Sequence, residues 1–315
     1  MNIVQTRGYG SWVLGVLATE IMSHASISKC KIVDIPFSYR EVRSWNGFLR
    51  LPHSEINLFL HHNLALKAIR KGWLSDSTQI NIVYITHLTG PVSELADLKG
   101  HISFYLVNNS STVESLNKLG IKKDKVTLLH NPIHEDFMFS HKVIPERDVV
   151  FVCNYYKRKR PDLILSTVQA MPDLTFSLIG KGWRKQPEFE PLLRCGNFTY
   201  NEFRFDGYID QLKKHRVFCS LSDLEGGPVP LLESLVSGLN VVCTDTGSAR
   251  DLIPSDRTSN ILPINPKTDL ISSTIRAALN QVATTFQQEH HYFYPGFTEY
   301  LEHLISDEIS KRKNS

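Results

Sequence analysis

The 315-residue sequence contains no run of about 18 apolar residues, so no membrane-spanning helix is expected. Its first residues, Met1 to Arg7, lack the charged, apolar and small-residue regions of a signal peptide. Five cysteines (Cys30, Cys153, Cys195, Cys219 and Cys243) include no C-x-x-C pair, and their odd count argues against a disulfide framework. These absences predict a soluble protein of the reducing cytoplasm. Net charge is also small: 35 Lys and Arg against 32 Asp and Glu leave +3, too little to imply a nucleic-acid partner. There is no D-x-D triplet at a strand end and no His/Asp cluster with ligand spacing, so no metal site is expected. His61-His62 and His290-His291 are adjacent pairs, which point apart on a helix or a strand and are discounted as ligands.

What is present is globular in composition, with 42% hydrophobic, 21% charged and 10% aromatic residues. Short apolar strands alternate with helical patterns, the signature of βαβ units and parallel sheets. Strands are expected at Asn2–Thr6, Lys31–Ile35, Ile80–Thr86, Phe104–Val107 and Val126–Leu129. A second series follows at Val149–Cys153, Thr175–Ile179, Arg216–Leu221 and Asn240–Thr244. Helices are expected from Ser11 to about His24, and from a cap at Ser110 or Ser111 to Leu119, with Gly120 as the stop. Pro132–Glu146 has no clear periodicity and two prolines, which marks a boundary. The predicted fold is α/β, with two doubly wound Rossmann-like domains facing an inter-domain cleft. The first covers 1–140 and the second 147–282; the tail 283–315 packs back toward the first.

The segment Ser222 to Gly238 carries the richest chemistry. Gly226 and Gly227 let backbone approach a ligand, Pro228 and Val229 lead into a helix with Pro230 in its first turn, and Gly238 ends it. A helix opening this way directs N–H groups and a positive dipole end at an anion such as phosphate. Glu233, one turn inside, can accept hydrogen bonds from a vicinal diol such as ribose. Glu225, in the preceding loop, can reach a second set of hydroxyls.

Glu225 to Glu233 resembles the E-x7-E motif of retaining glycosyltransferases of the GT-B fold, particularly family GT4. Other pieces are similar in the same order. Phe151 to Leu163 resembles the family's strand and basic loop, Phe176 to Gly182 its strand and G-x-G turn, and Asp206 to Ile209 the segment that closes over the nucleotide base. The resemblance places Lys159 on the family's pyrophosphate-binding lysine and His87 on a histidine that contacts the donor sugar. It implies an enzyme that is metal-independent, takes no cofactor, and uses a nucleoside diphosphate sugar, UDP- or GDP-linked, as donor. The acceptor it implies is a growing surface glycan or a lipid-linked saccharide, met in the cytoplasm or at the inner face of the membrane. The catalytic candidates are therefore His87, Lys159 and Glu225. The donor-binding candidates are Gly8, Gly10, Asn154, Arg158, Gly226, Gly227, Pro228, Val229 and Glu233.

Two departures stand out. Asn154 occupies the position of an arginine, so a phosphate contact is missing or passes to Arg158 or Arg160. The opening loop reads Gly8-Tyr9-Gly10-Ser11, where the family has two adjacent glycines. An epimerase or inverting transferase on the same fold, and a catalytically idle sugar- or nucleotide-binding protein, are the alternatives. The basic amphipathic stretch Leu64–Leu74, with Lys67, Arg70, Lys71 and Trp73, reads as an ordinary surface helix or as a peripheral membrane contact. Cys153, Cys219 and Cys243 read as packing thiols.

Overall fold

The computed structural model describes residues 1–6, 13–27, 29–35, 51–74, 78–88, 92–138, 144–202, 205–283 and 285–314. It separates into two units, Met1–Pro132 with Glu289–Ser315, and Ile133–Gln288. The division thus falls at Pro132, ahead of the expected end at 140, and the tail joins the first unit from Glu289 rather than 283.

The first unit runs β1 (Asn2–Thr6), α1 (Val13–His24), β2 (Lys31–Ile35), β3 (Ile56–Phe59), α2 (His62–Arg70), β4 (Ile80–Ile85), β5 (Phe104–Val107), α3 (Ser110–Lys118) and β6 (Val126–Leu128). Its strands form one parallel sheet in the order β2-β1-β3-β4-β5-β6. A ladder of buried amides pins the register of three of them. Asn2 Nδ2 donates to Asn57 Oδ1 at 2.9 Å, and Asn57 Nδ2 to Asn81 Oδ1 at 3.0 Å. Slipping one strand by a residue would leave these polar groups unpaired in the core, which is costly. Clusters of buried apolar side chains cover both faces of the central strands. The cap of α3 is Asn109, whose Oδ1 accepts from Thr112 N–H at 2.9 Å, rather than Ser110 or Ser111. Gly8, Gly10 and Ser11 lie outside the described residues.

The second unit runs β7 (Arg147–Val152), α4 (Pro161–Ala170), β8 (Phe176–Ile179), α5 (Phe189–Leu193), β9 (Phe198–Asn201), α6 (Phe205–Lys213), β10 (His215–Ser220), α7 (Val229–Val236), β11 (Asn240–Thr244), α8 (Ala249–Leu252), β12 (Ile261–Leu262) and α9 (Thr268–Leu279). Its parallel sheet has the order β12-β11-β10-β7-β8-β9. The chain then returns to the first unit as α10 (Tyr294–Lys313). There Glu302 accepts from Ile27 N–H at 2.9 Å, and Phe297 meets the Tyr84 ring at 5.9 Å.

In each sheet the strand order reverses once, between β1 and β3 and between β7 and β10. At such a point the loops leaving the carboxyl ends of two neighbouring strands diverge and open a crevice. The basic run follows β7, and the glycine-rich segment follows β10.

Candidate active site

Three strand-end loops of the second unit are tied together. After β7 the chain makes a 3-10 turn at Lys157–Lys159, and Arg160 takes a left-handed backbone (φ 53°) that lets Pro161 open α4. Asp223 N–H donates to Arg158 O at 2.8 Å, stitching the loop after β10 to the loop after β7. Thr244 Oγ1 donates to Ser222 O at 2.6 Å, and Gly247, at φ 56°, packs against Gly226. A Cβ at Gly247 would meet Gly226 O at 2.2 Å, so glycine is required there for both conformation and space.

This stitching brings Glu225 onto the basic run. Its carboxylate pairs with Lys159 Nζ through Oε1, and with Arg158 Nη1 through Oε2 at 2.9 Å. Burial pushes the Glu225 carboxyl up, but the Lys159 and Arg158 charges outweigh it and hold it below its ordinary value. Arg160 is engaged elsewhere, with Asp162 at 2.7 Å, Asp223 at 3.1 Å and the Asn265 side chain. Of the two arginines weighed as substitutes at the Asn154 position, Arg158 is therefore the one beside Glu225. Asn154 itself lies just past the end of β7. Its Oδ1 accepts from Lys181 N–H at 2.8 Å and so fastens the Gly180-Lys181-Gly182 turn.

Helix α7 starts with Pro228 as its cap, and no side chain caps it. Pro230 has no N–H, and Leu231 N–H turns to Pro228 O at 3.0 Å. Val229 thus supplies the first-turn amide directed out of the helix. Glu233 lies further in, only 7% exposed among the buried Leu231, Leu232, Leu235 and Val236. Burial pushes its carboxyl up to about 7, against a lowering hydrogen bond from Tyr208, whose hydroxyl donates to Oε2 at 2.5 Å. The two glutamates of the motif are thus electrostatic opposites. One is held ionised by two cations; the other is a carboxyl near its titration midpoint at neutral pH.

His87 follows β4 in the first unit, with its Nδ1 3.2 Å from Thr86 Oγ1. His61 meets it edge-on at 5.4 Å and stacks on His62 at 4.3 Å. The expectation that His61 and His62 point apart is corrected here. His61 is the extended cap of α2, accepting from Asn63 N–H at 3.1 Å, while His62 is already helical, and this change of backbone turns both rings the same way. Burial, followed by the neighbouring imidazoles, lowers His61 to about 3, so it is neutral. Among the described residues no group of three or more His, Cys, Asp or Glu side chains could hold a metal ion.

Residues 134–290 match the family of glycosyl transferases group 1. Through that half the chain belongs to the group 1 glycosyl transferases. It is 23% identical over 152 residues to the O-antigen biosynthesis glycosyltransferase WbnH of Escherichia coli, a match that covers 47% of this chain and 43% of the relative. The matched part is thus less than half of that relative's length. Among solved structures, HepE of Anabaena in complex with UDP aligns at a TM-score of 0.68 and 12% identity, covering 98% of this chain and 99% of the other. The lipopolysaccharide outer core galactosyltransferase WaaB aligns at 0.64 and 16%, with the same coverage. At such identities these alignments speak for the fold, and the fold is GT-B. Within this family fold the sequence pointed to both glutamates and the basic run. It did not point to Tyr208 as a partner of Glu233, or to the packing of His61 on His87. No helix among the described residues is long and apolar enough to cross a membrane.

Proposed function

We propose that the protein transfers a sugar from a nucleoside diphosphate donor to a hydroxyl of a saccharide acceptor, with retention of configuration and without a metal ion. The observation that carries this reading is the union of Lys159, Arg158 and Glu225 beside the opening of α7, the helix on which Glu233 is buried. Lys159, Arg158 and the Val229 N–H would neutralise a diphosphate whose charge grows as it leaves. Gly226, Gly227 and Pro228 would let backbone approach it. Glu233 would accept the ribose hydroxyls, and Glu225 those of the transferred sugar. His87, Gly8 and Gly10 keep the roles that the resemblance implies.

The bond from the anomeric carbon to the leaving phosphate breaks, and a bond to the acceptor oxygen forms on the same face. The acceptor proton passes to the leaving phosphate oxygen. UDP is the favoured donor nucleotide, since HepE is described with UDP and with UDP-glucose, and GDP is the other candidate. The relative's name supports an acceptor in O-antigen or a similar surface glycan. A lipid-linked form of it would bring the protein to the inner membrane face. The apolar side of α2 is committed to the core, so contact there would be electrostatic rather than by insertion.

A thermal-shift screen against UDP, GDP, ADP and CMP tests the donor site, because a ligand bound by the native state alone raises Tm. UDP or GDP should raise it. NMR of the product anomer then tests retention, and an inverted or isomerised product rejects it. Nucleotide binding without transfer or slow donor hydrolysis would favour an idle binding protein.

A further inference from the structure

Tyr208 enters the sequence reading only as part of a segment near the base, yet its side chain makes a specific contact. It lies on α6, and its hydroxyl donates to Glu233 Oε2 on α7 at 2.5 Å. Its ring is braced by Phe137, fully buried, at 6.1 Å and 70°. Phe137 belongs to a 3-10 turn at Glu135–Phe137, and Lys213 at the other end of α6 donates to Asp136 O of that turn at 3.3 Å. The phenol is therefore held at both its ring and its helix, with its proton directed at one carboxylate oxygen.

We propose that Tyr208 is the positioning residue of the nucleotide site: it holds Glu233 as an ionised acceptor, leaving Oε1 for a ribose hydroxyl. This rests on the reading of Glu233 as the ribose acceptor. The two glutamates of the motif are held differently. Glu225 is buried but has Lys159 and Arg158 to keep it charged. Glu233 is buried among leucines, and among the described residues the influences on its carboxyl are that burial and the Tyr208 hydroxyl. Asp210 and Lys213 also lie on α6, and Asp136 on the turn that packs against it, but the phenol is the titratable group that meets the carboxylate. A hydrogen bond to the charged form favours that form, and a buried carboxylate that loses its donor protonates instead. Affinity for the donor should accordingly follow the ionisation of Glu233, and Tyr208 should set the pH at which this happens.

The test is calorimetry on the full chain with UDP-glucose, whose diphosphate diester stays fully ionised and whose uracil keeps its N3 proton between pH 5.5 and 8.5. Wild-type affinity should fall as pH drops through about 7. Tyr208→Phe keeps the ring and removes the donor, so the midpoint should rise by about one unit. That is a loss of about fivefold at pH 7, which shrinks to about 1.3-fold at pH 8.5. Incorporating 3-fluorotyrosine at 208 makes the phenol a stronger donor and should move the midpoint the other way, whether or not Tyr208→Phe folds. Glu233→Gln should bind weakly with no midpoint in this range. An unchanged midpoint in both Tyr208 variants, with Glu233→Gln still weak, overturns the role of Tyr208 and leaves the ribose reading standing. Wild-type affinity in Glu233→Gln, or no binding of UDP-glucose by the wild type, overturns the ribose reading itself.

Discussion

Lys159 and Glu225 stand 66 residues apart in sequence and form an ion pair at the point where the second sheet reverses its strand order. Arg158 closes on the other oxygen of the same carboxylate at 2.9 Å. The cations proposed for the diphosphate are thus neutralised by the acid proposed for the sugar. The two partners should respond differently to substitution. Lys159→Ala removes a charge-assisted contact to the diphosphate, worth about 1.5–3 kcal/mol, or about 10- to 150-fold in kcat/KM. Glu225→Gln releases Lys159 and Arg158, so UDP affinity should stay level or rise while turnover falls. Arg160→Ala should cost less, because Arg160 is spent on Asp162 and Asp223. Equal small losses at Lys159, Arg158 and Arg160 in steady-state kinetics would reduce the run to a generic basic surface.

Gly247 controls the placement of the Glu225 loop from the far side. Gly247→Ala has to adopt a left-handed backbone, which costs about 1–2 kcal/mol, and its Cβ would also press on Gly226 O. The loop must shift to make room, and Glu225 would move with it. Gly72→Ala is the control, since Gly72 is also left-handed (φ 67°) but has nothing within 4 Å of the added carbon. Both variants should lower Tm in a thermal melt, whereas Gly247→Ala alone should lose turnover. Equal activity in the two would free the loop from this constraint.

The parts of the site that were legible in sequence are contiguous there. A strand, two glycines, a proline and a helical apolar stripe lie within Ser222–Gly238, and the basic run lies within four residues. The contacts that are not legible in sequence join distant segments: Tyr208 to Glu233, His61 to His87, Asn154 to Lys181. Nothing local to any of these residues encodes its partner. The missed strands have a different cause. β3 is four residues interrupted by Asn57, which the amide ladder explains only once Asn2 and Asn81 are beside it. β9 is half polar because it is an edge strand, and β12 is two residues long. The cap at Asn109 is ambiguous in sequence because three consecutive residues, Asn109 to Ser111, can all serve, and the phase of α3 is what selects one.

The proposed chemistry uses side-chain cations and a helix amide where other transferases use a divalent ion. Activity should therefore be complete in excess EDTA. Loss of activity with EDTA, restored by Mn²⁺ or Mg²⁺ in the same assay, would reject this arrangement of the diphosphate site.

Glu233 should lower the stability of the fold at the pH where it serves the nucleotide. Its folded carboxyl titrates at about 7, against an ordinary value of 4.5. A raised acid favours the folded state most when protonated, so its contribution is complete below pH 4.5 and is lost as pH rises through 7. The full difference is about 3 kcal/mol. An amide at this position stays neutral, keeps the shape, and still accepts from the Tyr208 hydroxyl. Glu233→Gln should therefore melt higher than the wild type at pH 8.5 and at about the same temperature at pH 4.5. The same variant should bind UDP more weakly at pH 8.5, so the gain in stability and the loss of affinity arise from one ionisation. A Tm difference that is absent at pH 8.5, or larger at pH 4.5, would show that the buried carboxyl is not the group being relieved.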